Sequence, residues 1–490
     1  MKRFLLLAAA VSTSIACAAG VQPSRPVDVA PARTADALNQ IARQVSERQL
    51  RAYVERLVSF GTRHTLSSQD HPTRGIGASL RWTEAEFRRI GRECGGCLQI
   101  ATPSDTVTGR RVPTPTRVTN VIAVQRGTTD PNRVVIITGH IDSRVTDVMN
   151  ATADAPGAND DASGTAAVIE AARVLSRHRF PATIVYAALS GEEQGLLGGK
   201  ILADYARAQG WQVEANLNND IIGNSCGSDG VCDAANVRVF SEGPRWQGRD
   251  DLAARQRSLG GENDSPSRNL SRYLEELAGR VNVGLAVRPI WRNDRFGRGG
   301  DHTEFLNAGY PAVRLSVAVE DYDHQHQDLR TENGRKYGDT VDEMDFAYLA
   351  NVVRLNVAAL SSLARAPMPP EPAAEGAVST DTTIRWRAVP GAAHYVVWWR
   401  STNDFRWRHA WAARASMPTV GTSTLSNGQP MRARHTATGD SHEFVLTGIR
   451  VDDWVFGVSS VSADGYESPV ASAVPGGAFR PWTAPPSAQQ

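Results

Sequence analysis

Lysine is almost missing from this chain. Of its 53 basic residues, all but Lys2, Lys200 and Lys336 are arginine, a compositional bias that carries no chemistry of its own. An excess of charge of either sign is missing too, since 53 Lys+Arg face 52 Asp+Glu. That balance argues against a nucleic-acid partner, which calls for a basic excess or patch. It also argues against an acidic disordered chain, as do the 41% hydrophobic content and the 11 tryptophans. Cysteine is scarce: five in 490 residues cannot make a disulfide scaffold. Long apolar runs are lacking as well. The run from Phe4 to Val11 falls short of the roughly 20 residues of a membrane span, and no other stretch is read as one.

The short run has a different meaning. It follows Lys2 and Arg3, no acid precedes Asp28, and Ala16-Cys17-Ala18 fits a small-residue cleavage site. Residues 1–18 are therefore expected to be a secretory signal peptide, so that the protein is exported, periplasmic or secreted. Cys17 permits a lipoprotein anchor, against which stands Ser14, where a large aliphatic residue is wanted. Loss of Lys2 and Arg3 leaves 51 basic and 52 acidic residues, a net charge of −1. Export makes disulfides possible. The remaining cysteines form two close pairs, Cys226/Cys232 across a Gly/Asp-rich loop and Cys94/Cys97. The second pair reads as a bridge, a redox motif or half a zinc site. With no second CxxC to complete four cysteines, a structural bridge is the simplest reading.

At 490 residues the chain exceeds what one core serves, and several domains are expected. Residues 19–35 are Pro/Ala-rich and are expected to form a flexible lead. From Asp36 to Phe60, Leu38, Ile41, Val45, Leu50, Val54 and Leu57 recur at helical spacing. Beyond Val118, apolar runs (Val134–Ile137, Thr183–Leu189, Asn216–Ile222, Val237–Phe240) alternate with helical stretches (Gly164–Leu175, Leu196–Tyr205). Continuous apolar strands between helices indicate a mostly parallel sheet covered on both faces, an α/β domain over 36–365. A Pro-rich linker follows at 366–374. Residues 375–480 then carry short strand candidates (Thr382–Arg387, His394–Trp399, Glu443–Leu446, Trp454–Val461) with regular turns, which suggests a β-sandwich, before a tail at 481–490. Seven of the 11 tryptophans lie between Trp386 and Trp482. Exposed, Trp398, Trp399, Trp407 and Trp411 would suit carbohydrate or protein contact. Packing is the preferred reading, because one face of each strand must be buried.

Five polar segments sit where strands end or loops begin, the place where ligands gather in open α/β sheets. They are Gly139-His140-Ile141-Asp142-Ser143, Gly157 to Gly164 around Asn159-Asp160-Asp161, Ser190-Gly191-Glu192-Glu193-Gln194-Gly195, Asn218-Asn219-Asp220, and Asp323 to Asp328. His140 is a metal-ligand type, and Asp142 falls on the same side of an extended chain, where it can orient the imidazole. A carboxylate at 160 or 161 can bridge two cations or simply cap the following helix. Each segment alone reads as solvated loop residues or a helix cap. All five in this order on an α/β frame do not.

In that order the motifs His140-x-Asp142, Asn159-Asp160-x-Ala162-Ser163-Gly164, Glu192-Glu193-x-Gly195, Asp220 and a late histidine resemble the M28 metallopeptidases. So does Gly300-Asp301-His302-Thr303-Glu304-Phe305 with Gly309-Tyr310-Pro311. The resemblance spans roughly residues 50 to 360 and implies a three-layer α/β/α phosphorylase/hydrolase-like fold. It also implies a zinc aminopeptidase with two zinc ions per chain, acting on peptides or proteins with a free N-terminus. It places His140 and Asp220 on one zinc, Glu193 and the late histidine on the other, and Asp160 between them. Glu192 becomes the general acid/base, Asp142 the orienting carboxylate, and Asp160–Asp161 a candidate cis peptide. Tyr322-Asp323-His324-Gln325-His326 matches the family frame at His326, with the expected Asp-Thr delayed to Asp339-Thr340. A histidine with an aspartate four residues on selects His324 instead, and His326 is preferred. His302 is read as structural. Residues 375 to 475 resemble a fibronectin type III domain, with Trp454 standing where a tyrosine is usual.

No HExxH follows His442-Glu443, the 195–200 stretch fails as a P-loop, and there is no GxSxG. Competing readings are a carboxypeptidase or other amide hydrolase of this fold, and a non-catalytic binding protein on a peptidase frame. The intact ligand set and Glu192 speak against the latter.

Overall fold

A computed structural model describes residues 30–243, 263–414, 419–424 and 430–473. The signal-peptide reading of residues 1–18, with Cys17, most of the expected lead and the tail at 481–490 lie outside these residues.

The helices are α1 (Ala30–Ala42), α2 (Glu47–Val58), α3 (Gly75–Glu93), α4 (Ala162–Leu175), α5 (Leu197–Ala208), α6 (Pro266–Arg280), α7 (His302–Asn307) and α8 (Phe346–Arg365). The first strands are β1 (Leu98–Ala101), β2 (Ser104–Gly109), β3 (Val112–Thr119), β4 (Val121–Gln125) and β5 (Asp130–His140). They are followed by β6 (Ala182–Leu189), β7 (Gln212–Asn219), β8 (Asn236–Ser241), β9 (Ala286–Ile290) and β10 (Ala312–Val317). Eight of these form one sheet in the order β1-β4-β6-β5-β7-β10-β8-β9. Its centre is parallel, β6-β5-β7-β10, and antiparallel strands join on both sides. Side chains alternate across a strand, so each buried strand feeds two cores. Val135 and Ile137 pack with α1–α4, α6 and α8 on one face. Val134 and Ile136 pack with Leu202 and Ala206 of α5 and Phe305 of α7 on the other. The domain is thus a three-layer α/β/α structure.

The helical pattern expected over 36–60 is carried by two helices. α1 begins earlier, at Ala30, inside the expected lead, and the chain turns before α2. Ser46 causes the restart. Its hydroxyl accepts the Gln49 N–H as an N-cap, and its own N–H donates to the buried Glu170. α3, α6, α7 and α8 have no helical counterpart in the sequence reading. Among the described residues α8 is the one helix apolar and long enough to cross a membrane, although no such stretch was expected. With 83% of its apolar window buried, it is a core helix against the sheet.

Beyond α8 the expected linker is partly ordered by pairing, since its last residues start the strand Ala373–Glu375, antiparallel to Thr382–Arg387. The C-terminal strands form a five-stranded and a four-stranded sheet, with antiparallel pairing throughout. The two sheets close on one core that includes Ile384, Trp386, Tyr395, Val397, Trp399, Phe444 and Phe456. Trp398, Trp399 and Trp407 are buried, and Trp411 packs at the edge of that core. Both close cysteine pairs, Cys94–Cys97 and Cys226–Cys232, are disulfides.

One buried arginine ties the sheet to its loops. Arg63 is fully buried and donates to the carbonyls of Ile141, Pro156 and Gly157 at 2.6, 2.6 and 2.9 Å, and of Leu57 at 3.2 Å. The first three carbonyls belong to the loops that carry Asp142 and Asp160, and the last to α2. Arg63→Met removes every one of these donors at once and should cost about 3 kcal/mol or more of stability. Denaturant unfolding within 1 kcal/mol of the parent, an error set by about one net hydrogen bond, would contradict this account.

Candidate metal centre

The C-terminal ends of β5, β6 and β7 deliver His140, the 190–194 loop and Asp220 to one cleft. The start of α4 closes it from the side. That approach requires glycine, because a methyl group at Gly139 would meet the backbone of Gly164 at 2.4 Å, and one at Gly164 the Asn219 carbonyl at 2.2 Å.

Asp160 lies in the middle. Its Oδ1 is 3.2 Å from His140 Nε2 and its Oδ2 is 2.8 Å from His326 Nε2. Asp220 Oδ1 lies 3.9 Å from His140 Nε2, and Glu193 Oε1 lies 2.9 Å from His326 Nε2. The donor atoms form two groups, His140/Glu192/Asp220 and Asp160/Glu193/His326, each within 4.8 Å. The peptide between Asp160 and Asp161 is cis. All seven residues singled out from the sequence meet here. His324 does not: its Nδ1 is 2.6 Å from Asp321 and its Nε2 faces Glu343. His326 has a left-handed backbone, φ 58°, uncommon outside glycine.

Asp142 is fully buried and organises a loop more than a ring. Its carboxylate accepts the N–H groups of Gly191, Glu192 and Glu193 at 2.9, 3.2 and 3.1 Å. The Nδ1 of His140 lies 3.1 Å from the main-chain carbonyl of Asp142 and 3.6 Å from its carboxylate. Asp161 is the cap: it accepts Gly164 N–H and, with its other oxygen, His140 N–H, both at 2.9 Å.

Electrostatics follow from crowding acids in a dry cleft. Burial alone would favour neutral imidazoles. At His140 it is outweighed by Asp161, Asp142, Asp160 and Asp220, which push its pKa well up. At His326 burial is outweighed by Glu193 and Asp160, and the pKa rises to about 9. Burial pushes the Glu192 carboxyl well above the usual range, and Glu193 and Asp220 add to this against the pull of His140. A site that draws protons onto both imidazoles is one that favours cations. Mixed imidazole and carboxylate donors are the chemistry of zinc and related divalent metals, and the residues present fit such ions.

Several residues here had no role assigned from the sequence, although Asp339 was named as the delayed Asp-Thr of the family frame. Asp339 accepts the N–H groups of Asn159 and Asp160 at 2.8 and 2.7 Å, holding Asp160 from behind. Arg144 Nε donates to Glu193 at 2.8 Å and its guanidinium lies 2.6 Å from His326 Nδ1. Arg314 pairs with Asp220 at 2.8 Å. Thr65 donates from its hydroxyl toward Asp142. Asp339 had that signal, and Arg144 stands directly after the Gly139–Ser143 segment. The others arrive from distant segments.

The family model of peptidase family M28 matches residues 120–356. A probable zinc metalloprotease of Leptosphaeria maculans is 42% identical over 444 residues, covering 90% of this chain and 97% of that protein. A probable zinc metalloprotease of Pyricularia oryzae is 41% identical over 467 residues, covering 93% of this chain and 88% of that protein. Among solved structures, LapB from Legionella pneumophila shares the fold at a TM-score of 0.50 and 19% identity, over 67% of this chain and 75% of that one. Fold, site and relatives together define a hydrolase of peptide bonds. The chain belongs to peptidase family M28.

Proposed function

We propose that the protein is an exported aminopeptidase that binds two zinc ions and removes N-terminal residues from peptides, with Glu192 as the general base. The observation that carries this reading is Asp160, whose two oxygens face two different histidines at 3.2 and 2.8 Å. One carboxylate shared between two imidazole–carboxylate groups is the arrangement a two-metal centre needs. His140 and Asp220 would hold one ion, His326 and Glu193 the other, with Asp160 between.

Zinc, when bound, supplies Lewis-acid polarisation of the scissile carbonyl and a water of lowered pKa. The remaining work falls to the chain. Glu192 would take the proton of the attacking water and pass it to the leaving nitrogen. Its raised affinity for a proton suits that transfer. Asp142 would keep Glu192 and Glu193 in place through the three N–H groups it accepts.

Peptides with a free N-terminus should therefore be cut from that end. N-acetylation removes a charge-assisted hydrogen bond and should lower kcat/KM about 10- to 100-fold. A peptide digest followed by mass spectrometry checks both. Equal cleavage of blocked and free peptides would point to a carboxypeptidase or endopeptidase on the same frame.

A further inference from the structure

The C-terminal sheets touch the catalytic domain at a place that leads to the metal centre. Arg400, fully buried, makes a two-pronged contact with Asp264 at 2.6 and 2.7 Å, and Ser472 reaches the same carboxylate at 3.2 Å. From there α6 runs along the interface. Its Arg272 donates to the Phe405 carbonyl at 2.5 Å, and the Arg268 and Arg272 guanidiniums lie 5.2 and 5.0 Å from the Trp291 ring centre. Phe405 meets Trp291 edge-on at 5.8 Å.

Trp291 opens the segment that walls Asp220. The Asn293 carbonyl lies 3.0 Å from His302 Nε2. Asp294 receives Arg314 Nη1 at 3.1 Å on each oxygen. Arg314 is fully buried, reaches the Gly299 carbonyl at 3.1 Å, and holds Asp220 Oδ1 at 2.8 Å. Gly300 lies so close that an added methyl group would stand 3.2 Å from Asp220 Oδ2. The path therefore runs by contact from Phe405 to Trp291, along three residues of chain to Asp294, and by ion pairs through Arg314 to Asp220.

We infer that the C-terminal module positions one half of the metal centre, acting through Phe405 and Trp291 on the Asp294–Arg314 pair that orients Asp220. This rests on the two-zinc reading above. Arg314 brings a positive charge beside a metal ligand, which opposes cation binding unless it is neutralised, and Asp294 neutralises it. Loss of Asp294 would both loosen Asp220 and expose the ligand to that charge. Loss of the Phe405 ring leaves every charge in place and tests position alone. The other half, Asp160, Glu193 and His326, hangs on Asp339 and Arg144 and lies outside this path.

The test is chelator competition for zinc on the full chain, which resolves the two bound ions, together with thermal unfolding. Phe405→Ala and Asp294→Asn should each weaken one zinc roughly tenfold and leave the other unchanged, as expected for partners that orient metal ligands. Phe405→Tyr should restore the parent behaviour. Glu275→Ala removes another contact between α6 and the module, with Arg406, and should leave both ions unaffected. Parent-like zinc binding in Phe405→Ala overturns the inference, and so does an equal loss in Glu275→Ala, which would signal general loosening. If Asp294→Asn does not fold, Phe405→Ala decides alone, since that ring is 36% exposed and its loss is tolerable. A parent chain that holds only one zinc overturns the two-zinc reading instead, and the inference then stands or falls on whether that ion is weakened.

Discussion

Glu192→Gln should retain its zinc and lose about 10²- to 10⁴-fold in kcat, the range of a missing general base. The amide has the shape of the carboxylate and still offers an oxygen, but it cannot take a proton. Its surroundings should not change, because the Glu192 main chain is fixed by Asp142 through the neighbouring N–H groups. The substitution also removes an acid that sits against Glu193 and Asp220, so folding should not suffer. Zinc analysis and turnover on the same sample separate the outcomes. Activity near the parent's would place the base elsewhere, and loss of zinc would make Glu192 a ligand.

Asp160→Ala should have an effect of similar size, by another route. His140 and His326 each face one oxygen of this carboxylate, so its removal takes a donor from both groups at once. Zinc content should fall by at least one ion per chain. If roughly 4 kcal/mol of transition-state stabilisation goes with it, activity drops about a thousandfold. Asp161→Ala is the contrast. That carboxylate caps α4 and receives the His140 N–H, so its loss should lower stability by about 1 kcal/mol or more before it affects zinc. An Asp160→Ala chain that still binds two ions would exclude a bridging role.

These adjacent aspartates show where sequence reading stops. Both are acidic and both stand before the same helix. Asp160 turns into the cleft and Asp161 back to the α4 N-terminus, a choice made by local geometry that composition does not reveal. The choice between His324 and His326 is similar. Two residues apart in a loop, they are separated only by the turn that brings one to Asp160 and the other to Asp321.

What the sequence determined by itself is whatever one segment carries whole. A strand buried on both faces reads as a continuous apolar run, and its C-terminal residues enter the cleft together. His140, Asp142, Glu192, Glu193 and Asp220 were therefore legible beside their strands. So were the two cysteine pairs, closed over short loops, and four strands of the C-terminal sheets. Tertiary structure alone decided which distant charges stand behind them. Arg63 reaches carbonyls near residue 157, Asp339 the N–H groups of 159 and 160, and Arg314 joins Asp220 to Asp294. The worth of a buried charge depends on the partner it meets, and that partner lies many residues away. The packing of Phe405 on Trp291 belongs to the same class, since an aromatic ring in a sequence does not say which surface it will cover.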